Sequence, residues 1–301
     1  MSAPLDRRGF IGAAIAAAAT APNGLARAAA PRSFRLKYAP HIGMFKEHAG
    51  DDPVAQLEFM HDEGFTAFED NGMMARPVDV QEKMGRAMQR LGITMGVFVV
   101  NAYRNGDLWA TTGKKELVDK FVDGCRTAVD VAKRVNAKWM TVVPGNFERN
   151  LPIGVQTGNV IDALRRGAEV LEPHGLVMVL EPLSDTPDLF LRTADQTYEI
   201  CRAVNSPSVK ILYDMYHMQR NTGNIIPMMD LVWSEIGYLQ IGDNPGRKEP
   251  GTGEVNWRNV FKHVRDKGYT GVLGMEHGNA RPGKDGERAV IDAYVAADGW
   301  A

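Results

Sequence analysis

Val209-Lys210-Ile211-Leu212-Tyr213-Asp214 is a β-favouring apolar run closed by a carboxylate. Three other stretches have the same form: Leu176-Val177-Met178-Val179-Leu180-Glu181, Gly237-Tyr238-Leu239-Gln240 and Gly271-Val272-Leu273-Gly274-Met275-Glu276. A parallel strand buried on both faces reads as a continuous apolar run, so the polar residue that ends each run falls at the carboxyl end of a strand. In parallel barrels that end carries the chemistry. Adjacent strands lie about 4.8 Å apart, so neighbouring strand ends can set oxygens around one ion. Glu181, Asp214, Gln240 and Glu276 thus form an oxygen-rich set suited to a hard divalent cation such as Mg, Mn or Ca.

Working outward, apolar strand-like runs alternate with amphipathic helical ones from Phe34 onward. Strands are expected at Phe34–Tyr38, Phe65–Glu69, Ile93–Val100 and Lys138–Val143, ahead of the four already quoted. Asp52-Pro53 opens a helix with Val54, Leu57 and Met60 on one face, and Gly64 ends it. Further helices are expected at Val80–Leu91, Lys115–Val135, Val160–Leu171, Ala194–Val204, Ile226–Ile236 and Trp257–Lys267. Eight β-then-α units between about residues 34 and 295 match the usual length of a closed (β/α)8 TIM barrel, about 250 residues. With no Gly-Pro-Ser linker, residues 34–301 read as a single domain.

The first thirty residues differ. Arg7-Arg8, an Ala-rich run from Gly12 to Ala21 and Ala26-Arg27-Ala28 describe a secretory signal over residues 1–30, of the twin-arginine type. The run is short for a transmembrane helix, and no membrane association is expected once it is removed. The expected location is periplasmic or secreted. Cys125 shares a helical stripe with Leu117, Phe121 and Val129, which favours a buried thiol; whether it pairs with Cys201 is open.

A net charge of −2 provides no broad basic face for nucleic acid. G-x-G-x-x-G after a strand, G-x-x-x-x-G-K-[ST], G-x-S-x-G and H-E-x-x-H are all missing, which removes the main support for dinucleotide, P-loop, serine-hydrolase and zincin chemistry. Asp214-Met215-Tyr216-His217 places an imidazole three residues past a strand end, beside the ion or the substrate. The loop after Gln240 carries Arg247, whose planar guanidinium suits bidentate grip of a carboxylate. Pro250-Gly251-Thr252-Gly253 in the same loop reads as a turn cluster.

Leu180-Glu181-Pro182-Leu183, Asp214-Met215-Tyr216-His217-Met218-Gln219, Gln240-Ile241-Gly242 leading to Pro245-Gly246-Arg247-Lys248-Glu249-Pro250, and Gly274-Met275-Glu276 follow one another across the second half of the chain. In order and spacing they resemble the hydroxypyruvate isomerase branch of the xylose isomerase-like TIM barrels. The first half is similar only as a barrel pattern. The resemblance implies that Glu181, Asp214, Gln240 and Glu276 hold a divalent metal, Mg or Mn, with Glu181 and Glu276 also the acid–base pair. It implies that His217 and Arg247 contact a small hydroxy-carbonyl substrate, best hydroxypyruvate converted to tartronate semialdehyde through an enediolate.

The chain departs from the family at Lys248, where His is frequent, and at His277-Gly278-Asn279, where an aromatic residue tends to follow the last Glu. Both changes are expected to touch the substrate pocket. The nearest rival is a sugar 3-epimerase or ketose isomerase of the same superfamily, although those generally carry His in place of Gln240. Apurinic endonucleases on this barrel need clustered His ligands and a basic face, which this chain lacks. A carbohydrate-binding barrel without turnover is the third reading, opposed by the retained Glu181 and Glu276. A homo-oligomer is compatible with all three.

Overall fold

The computed structural model describes residues 33–100, 103–104 and 106–299. The twin-arginine signal expected over residues 1–30 lies outside the described residues. No helix among the described residues is long and apolar enough to cross a membrane.

In chain order the strands are β1 (Lys37–Ala39), β2 (Ala67–Phe68), β3 (Thr94–Met95), β4 (Val97–Val99), β5 (Trp139–Val142), β6 (Val177–Leu180), β7 (Val209–Asp214), β8 (Ile236–Gln240) and β9 (Val272–Gly274). The α-helices are α1 (Lys46–Ala49), α2 (Pro53–Asp62), α3 (Val78–Leu91), α4 (Lys115–Val135), α5 (Ile153–Leu171), α6 (Ala194–Val204), α7 (Met215–Asn221), α8 (Ile225–Val232), α9 (Trp257–Asp266) and α10 (Gly283–Asp298). Every strand pairing is parallel, running β4-β5-β6-β7-β8-β9-β1, with β2 paired to β3. A parallel bridge between His41 and Glu69 joins β1 to β2, so the sheet closes into the expected TIM barrel.

The expected third strand is divided at Gly96 into β3, which pairs with β2, and β4, which pairs with β5. A side chain at Gly96 would put its Cβ 2.3 Å from the Tyr238 hydroxyl, so the close approach of a neighbouring residue requires glycine there. α5 starts at Ile153, earlier than the expected Val160. Its first turns face solvent, with Ile153 62% and Val155 49% exposed, so they carry no buried stripe for periodicity to detect.

Two apolar layers hold the barrel. Ala39, Ala67, Val97, Val179, Leu212, Tyr238 and Val272, with Trp139 packed against them, form a small interior cluster drawn from eight strand positions around the ring. The larger cluster lies between strands and helices, where α4 contributes Val118, Phe121, Val122, Cys125, Val129 and Ala132. Cys125 and Cys201 are both buried and free, and burial pushes each thiol up to about 12. Helix ends follow local chemistry: Asp52 caps α2 by accepting from the Val54 N–H, and Asn136 and Asn205 close α4 and α6 in the left-handed conformation.

Candidate functional site

Parallel strands deliver their last residues to one end of the barrel, and four of these carry oxygen. Asp214 and Gln240 are the final residues of β7 and β8 and stand directly opposite each other in register. Glu181 follows β6 by one residue, whereas Glu276 lies two beyond β9, which ends at Gly274. Asp214 also caps α7 by accepting from the Tyr216 N–H at 2.8 Å, which fixes the first turn of α7 and with it His217. Ligand atoms of Glu181, Asp214, His217 and Glu276 all lie within 4.8 Å of one another. The Gln240 Oε1 is buried and without a hydrogen-bond partner among the described residues.

Crowding of carboxylates away from water sets the electrostatics. Burial, then the charges of Glu276 and Asp214, hold Glu181 well above the usual carboxylate range. Burial pushes Glu276 up to about 7, against the opposing pull of Arg247. Arg247 Nη2 donates to Glu276 Oε2 at 2.7 Å and to Asp214 Oδ2 at 3.1 Å, while its Nε donates to the Glu276 carbonyl at 3.1 Å. Its guanidinium lies 4.9 Å from the centroid of the Tyr216 ring. Arg247 therefore bridges two protein carboxylates through Nη2, in place of the bidentate grip expected of it.

His217 is fully buried, and burial lowers its pKa, so the ring is neutral. The Ser184 backbone N–H can only donate, and it points at Nδ1 from 3.1 Å. The proton of the neutral ring must then sit on Nε2, which lies 3.5 Å from Asp214 Oδ2 and 3.8 Å from Glu181 Oε1. That nitrogen faces the carboxylates as a donor.

Three residues that sequence reasoning passed over also reach this end of the barrel. Asn71 Nδ2 donates to Glu276 Oε1 at 2.8 Å. Glu69, just past β2, is buried among Tyr238 and Gln240, and burial with the nearby Glu276 charge raises it well above the carboxylate range. His41 follows β1 and lines two cavities, one of about 290 Å³ shared with Glu69, Asn71 and Glu276, the other of about 450 Å³ shared with Lys46, Asn279 and Arg281. The available signal was the polar cluster Glu69-Asp70-Asn71 directly after a strand, and a His two residues past another. Of the two departures noted in the sequence, His277 turns away from the pocket. Its Nε2 sits 2.9 Å from the Tyr294 hydroxyl and its ring stacks on that tyrosine, beyond the end of β9 at Gly274.

The family model described as xylose isomerase-like TIM barrel matches residues 57–295. Hydroxypyruvate isomerase from Escherichia coli is 32% identical over 161 residues, which are 53% of this chain and 62% of that one. The match thus spans less than two thirds of that relative's length. The 2-oxo-tetronate isomerase of Pectobacterium atrosepticum is 27% identical over 179 residues, covering 58% of this chain and 68% of that one. Among solved structures, 3-keto-D-glucoside 4-epimerase from E. coli superposes with a TM-score of 0.72 at 20% identity, covering 87% of this chain and 99% of that one. The family match, the closed ring of parallel strands and the acidic cluster at its carboxyl end agree: the chain belongs to the xylose isomerase-like TIM barrel family.

Proposed function

We propose that this end of the barrel is a divalent-cation-dependent isomerase site that interconverts an α-hydroxy ketone and an α-hydroxy aldehyde, with hydroxypyruvate and tartronate semialdehyde as the pair. The observation that carries the reading is the convergence of buried Glu181, Asp214 and His217 with partly buried Glu276, ligand atoms within 4.8 Å of one another. The donor set fits a hard cation: three carboxylates and the unpartnered Gln240 Oε1 are all oxygen. Glu181, Asp214, Gln240 and Glu276 would hold it, with Mg or Mn as the candidates. When bound, such a cation polarises the substrate carbonyl and offsets the negative charge that develops as the adjacent carbon loses its proton.

The side chains supply the rest. One glutamate removes the proton from the hydroxymethyl carbon, leaving an enediolate; the other returns a proton to the neighbouring carbon, while the hydroxyl proton passes to the former carbonyl oxygen. Both glutamates stand at strand ends beside the proposed cation, within reach of a substrate held there, which suits either role. His217 presents Nε2–H to a substrate oxygen at the point where Asp214 and Glu181 approach it. The Arg247 guanidinium is the group that would meet the substrate carboxylate. The relatives named hydroxypyruvate isomerase and 2-oxo-tetronate isomerase support the reaction class.

One observation favours a second reading, a longer sugar substrate undergoing epimerisation or ketose isomerisation: His41 lines both the cavity beside Glu276 and a second one of about 450 Å³. A panel of hydroxypyruvate, 2-oxo acids and ketoses, run with and without added Mg or Mn, separates the two. Glu181→Gln and Glu276→Gln should each abolish turnover in protein that remains folded, and solvent deuterium should enter the substrate only with both glutamates present. Full activity in either variant removes the acid–base pair. Export through the Arg7-Arg8 leader is likewise our proposal, and cell fractionation of a tagged chain with both arginines changed to Lys tests it.

A further inference from the structure

A carboxylate buried in the middle of a barrel is costly unless its neighbours use it. Glu69 is 1% exposed, accepts from the Tyr238 hydroxyl at 3.0 Å and faces the Gln240 Nε2, which lies 3.4 Å from each of its oxygens. The opposite end of that amide, Oε1, is buried and has no partner among the described residues. An amide turned by 180° keeps nearly the same shape but would present a donor that no cation accepts, while its oxygen would face the Glu69 oxygens. With the Tyr238 hydroxyl donating to its Oε2, an ionised Glu69 offers the amide acceptors alone, and that decides which end of Gln240 points the other way.

We propose that Glu69 and Tyr238 are positioning residues that hold the Gln240 amide with its oxygen directed at the cation site. The inference rests on the metal reading above and extends it to two side chains outside the proposed ligand set. Glu69 supplies the acceptor, and the Tyr238 hydroxyl holds one of its oxygens in place. A separate feature of the backbone supports the assignment. Neighbouring strands leave space for this pair through glycine: a Cβ at Gly274 would lie 1.9 Å from Glu69 Oε2, and one at Gly96 would lie 2.3 Å from the Tyr238 hydroxyl. Both side chains are thus fitted into room that any other residue at those positions would fill. Carboxylates that orient a ligand side chain commonly change metal affinity by about 10–100-fold when removed.

Binding of Mn²⁺ to the full chain, followed by calorimetry and by the electron paramagnetic resonance signal of free Mn²⁺, tests this without reference to any substrate. Glu69→Ala should weaken binding by at least about tenfold and Tyr238→Phe by several-fold, with the far-ultraviolet circular dichroism of each unchanged. Should Glu69→Ala fail to fold, Tyr238→Phe, which keeps the ring and loses only the hydroxyl, carries the test. The decisive arm is a double-mutant cycle: with Gln240→Ala already present, Tyr238→Phe should no longer alter Mn²⁺ affinity. Unchanged affinity in Tyr238→Phe, or an equal loss with and without Gln240, overturns the positioning role while leaving the metal centre standing. A native chain that binds no Mn²⁺ overturns the metal reading itself, and this inference with it.

Discussion

Asp243→Asn changes one atom in a fully buried side chain and should still cost more than most surface substitutions. Asp243 anchors the loop between β8 and α9, the segment that carries Arg247. Its Oδ1 accepts from the Asn244 and Val255 N–H groups at 2.9 and 3.2 Å, and its Oδ2 from those of Gly251 and Gly253 at 2.9 and 2.8 Å. Whichever way an asparagine amide is turned, its NH₂ meets two backbone donors and leaves both without an acceptor. An unsatisfied buried donor costs about 1–3 kcal/mol, so the pair amounts to about 3 kcal/mol once some relaxation is allowed. With a urea m-value of about 3 kcal/mol/M, the unfolding midpoint should fall by about 1 M. Glu254→Gln is the control in the same loop, because Glu254 makes only an exposed contact to Gln219; its midpoint should not move. The loosened loop should also raise KM more than it lowers kcat, since Arg247 donates from it to Asp214 and Glu276. A midpoint shift in Asp243→Asn no larger than in Glu254→Gln would refute the account of the loop.

Burial pushes His277 down to about 3 from its ordinary 6.5, so the unfolded chain takes up a proton that the folded chain refuses. The stability is complete above pH 6.5 and lost as pH falls, by about 2 kcal/mol at pH 5; urea midpoints at pH 8 and pH 5 should diverge more in the native chain than in His277→Gln, and equal divergence would count against the assignment. Cys125 and Cys201, with thiols pushed up to about 12, should resist a thiol reagent at pH 8 in the folded protein and both react in urea; fast labelling of either under native conditions contradicts their burial. Gly274→Ala places a Cβ 1.9 Å from Glu69 Oε2 and should destabilise by about 2 kcal/mol through overpacking, seen as a lower Tm. An unchanged Tm would mean that the Glu69 side chain moves aside freely.

The fold was most legible where a helix carries its own punctuation. α4 and α6 match their expected limits because each has a continuous apolar face and an Asn able to end it in the left-handed conformation. α5 starts before its expected limit because its first two turns are anchored by polar groups, Gln156 and Asn159, and contain Gly154 and Gly158, so only the later part has an apolar period to detect. The third strand was read as one run because its hydrophobicity is continuous, although its backbone changes partner at Gly96. The glycine at that point is required by the approach of Tyr238, more than a hundred residues away, which a local pattern does not reveal.

The same distinction explains which parts of the site could be seen. Glu181, Asp214, Gln240 and Glu276 close four long apolar runs, so strand periodicity alone brings them to one end of the barrel. Glu69 closes the expected run Phe65–Glu69, but Thr66 interrupts that run and polar Asp70 and Asn71 follow it, so the carboxylate reads like any polar residue that begins a loop. Asn71 reaches Glu276 across 205 residues of sequence, and nothing near Asn71 signals the partner. His277 shows the opposite error. Adjacency to Glu276 suggested a place in the pocket, but past the last strand the backbone turns, and consecutive side chains go to different sides. Sequence position predicts side-chain direction only while the regular backbone lasts. The residues that could not be read are therefore those placed by contacts between strands, as the Glu69–Tyr238 pair is, and a site assembled at strand ends must include some of them.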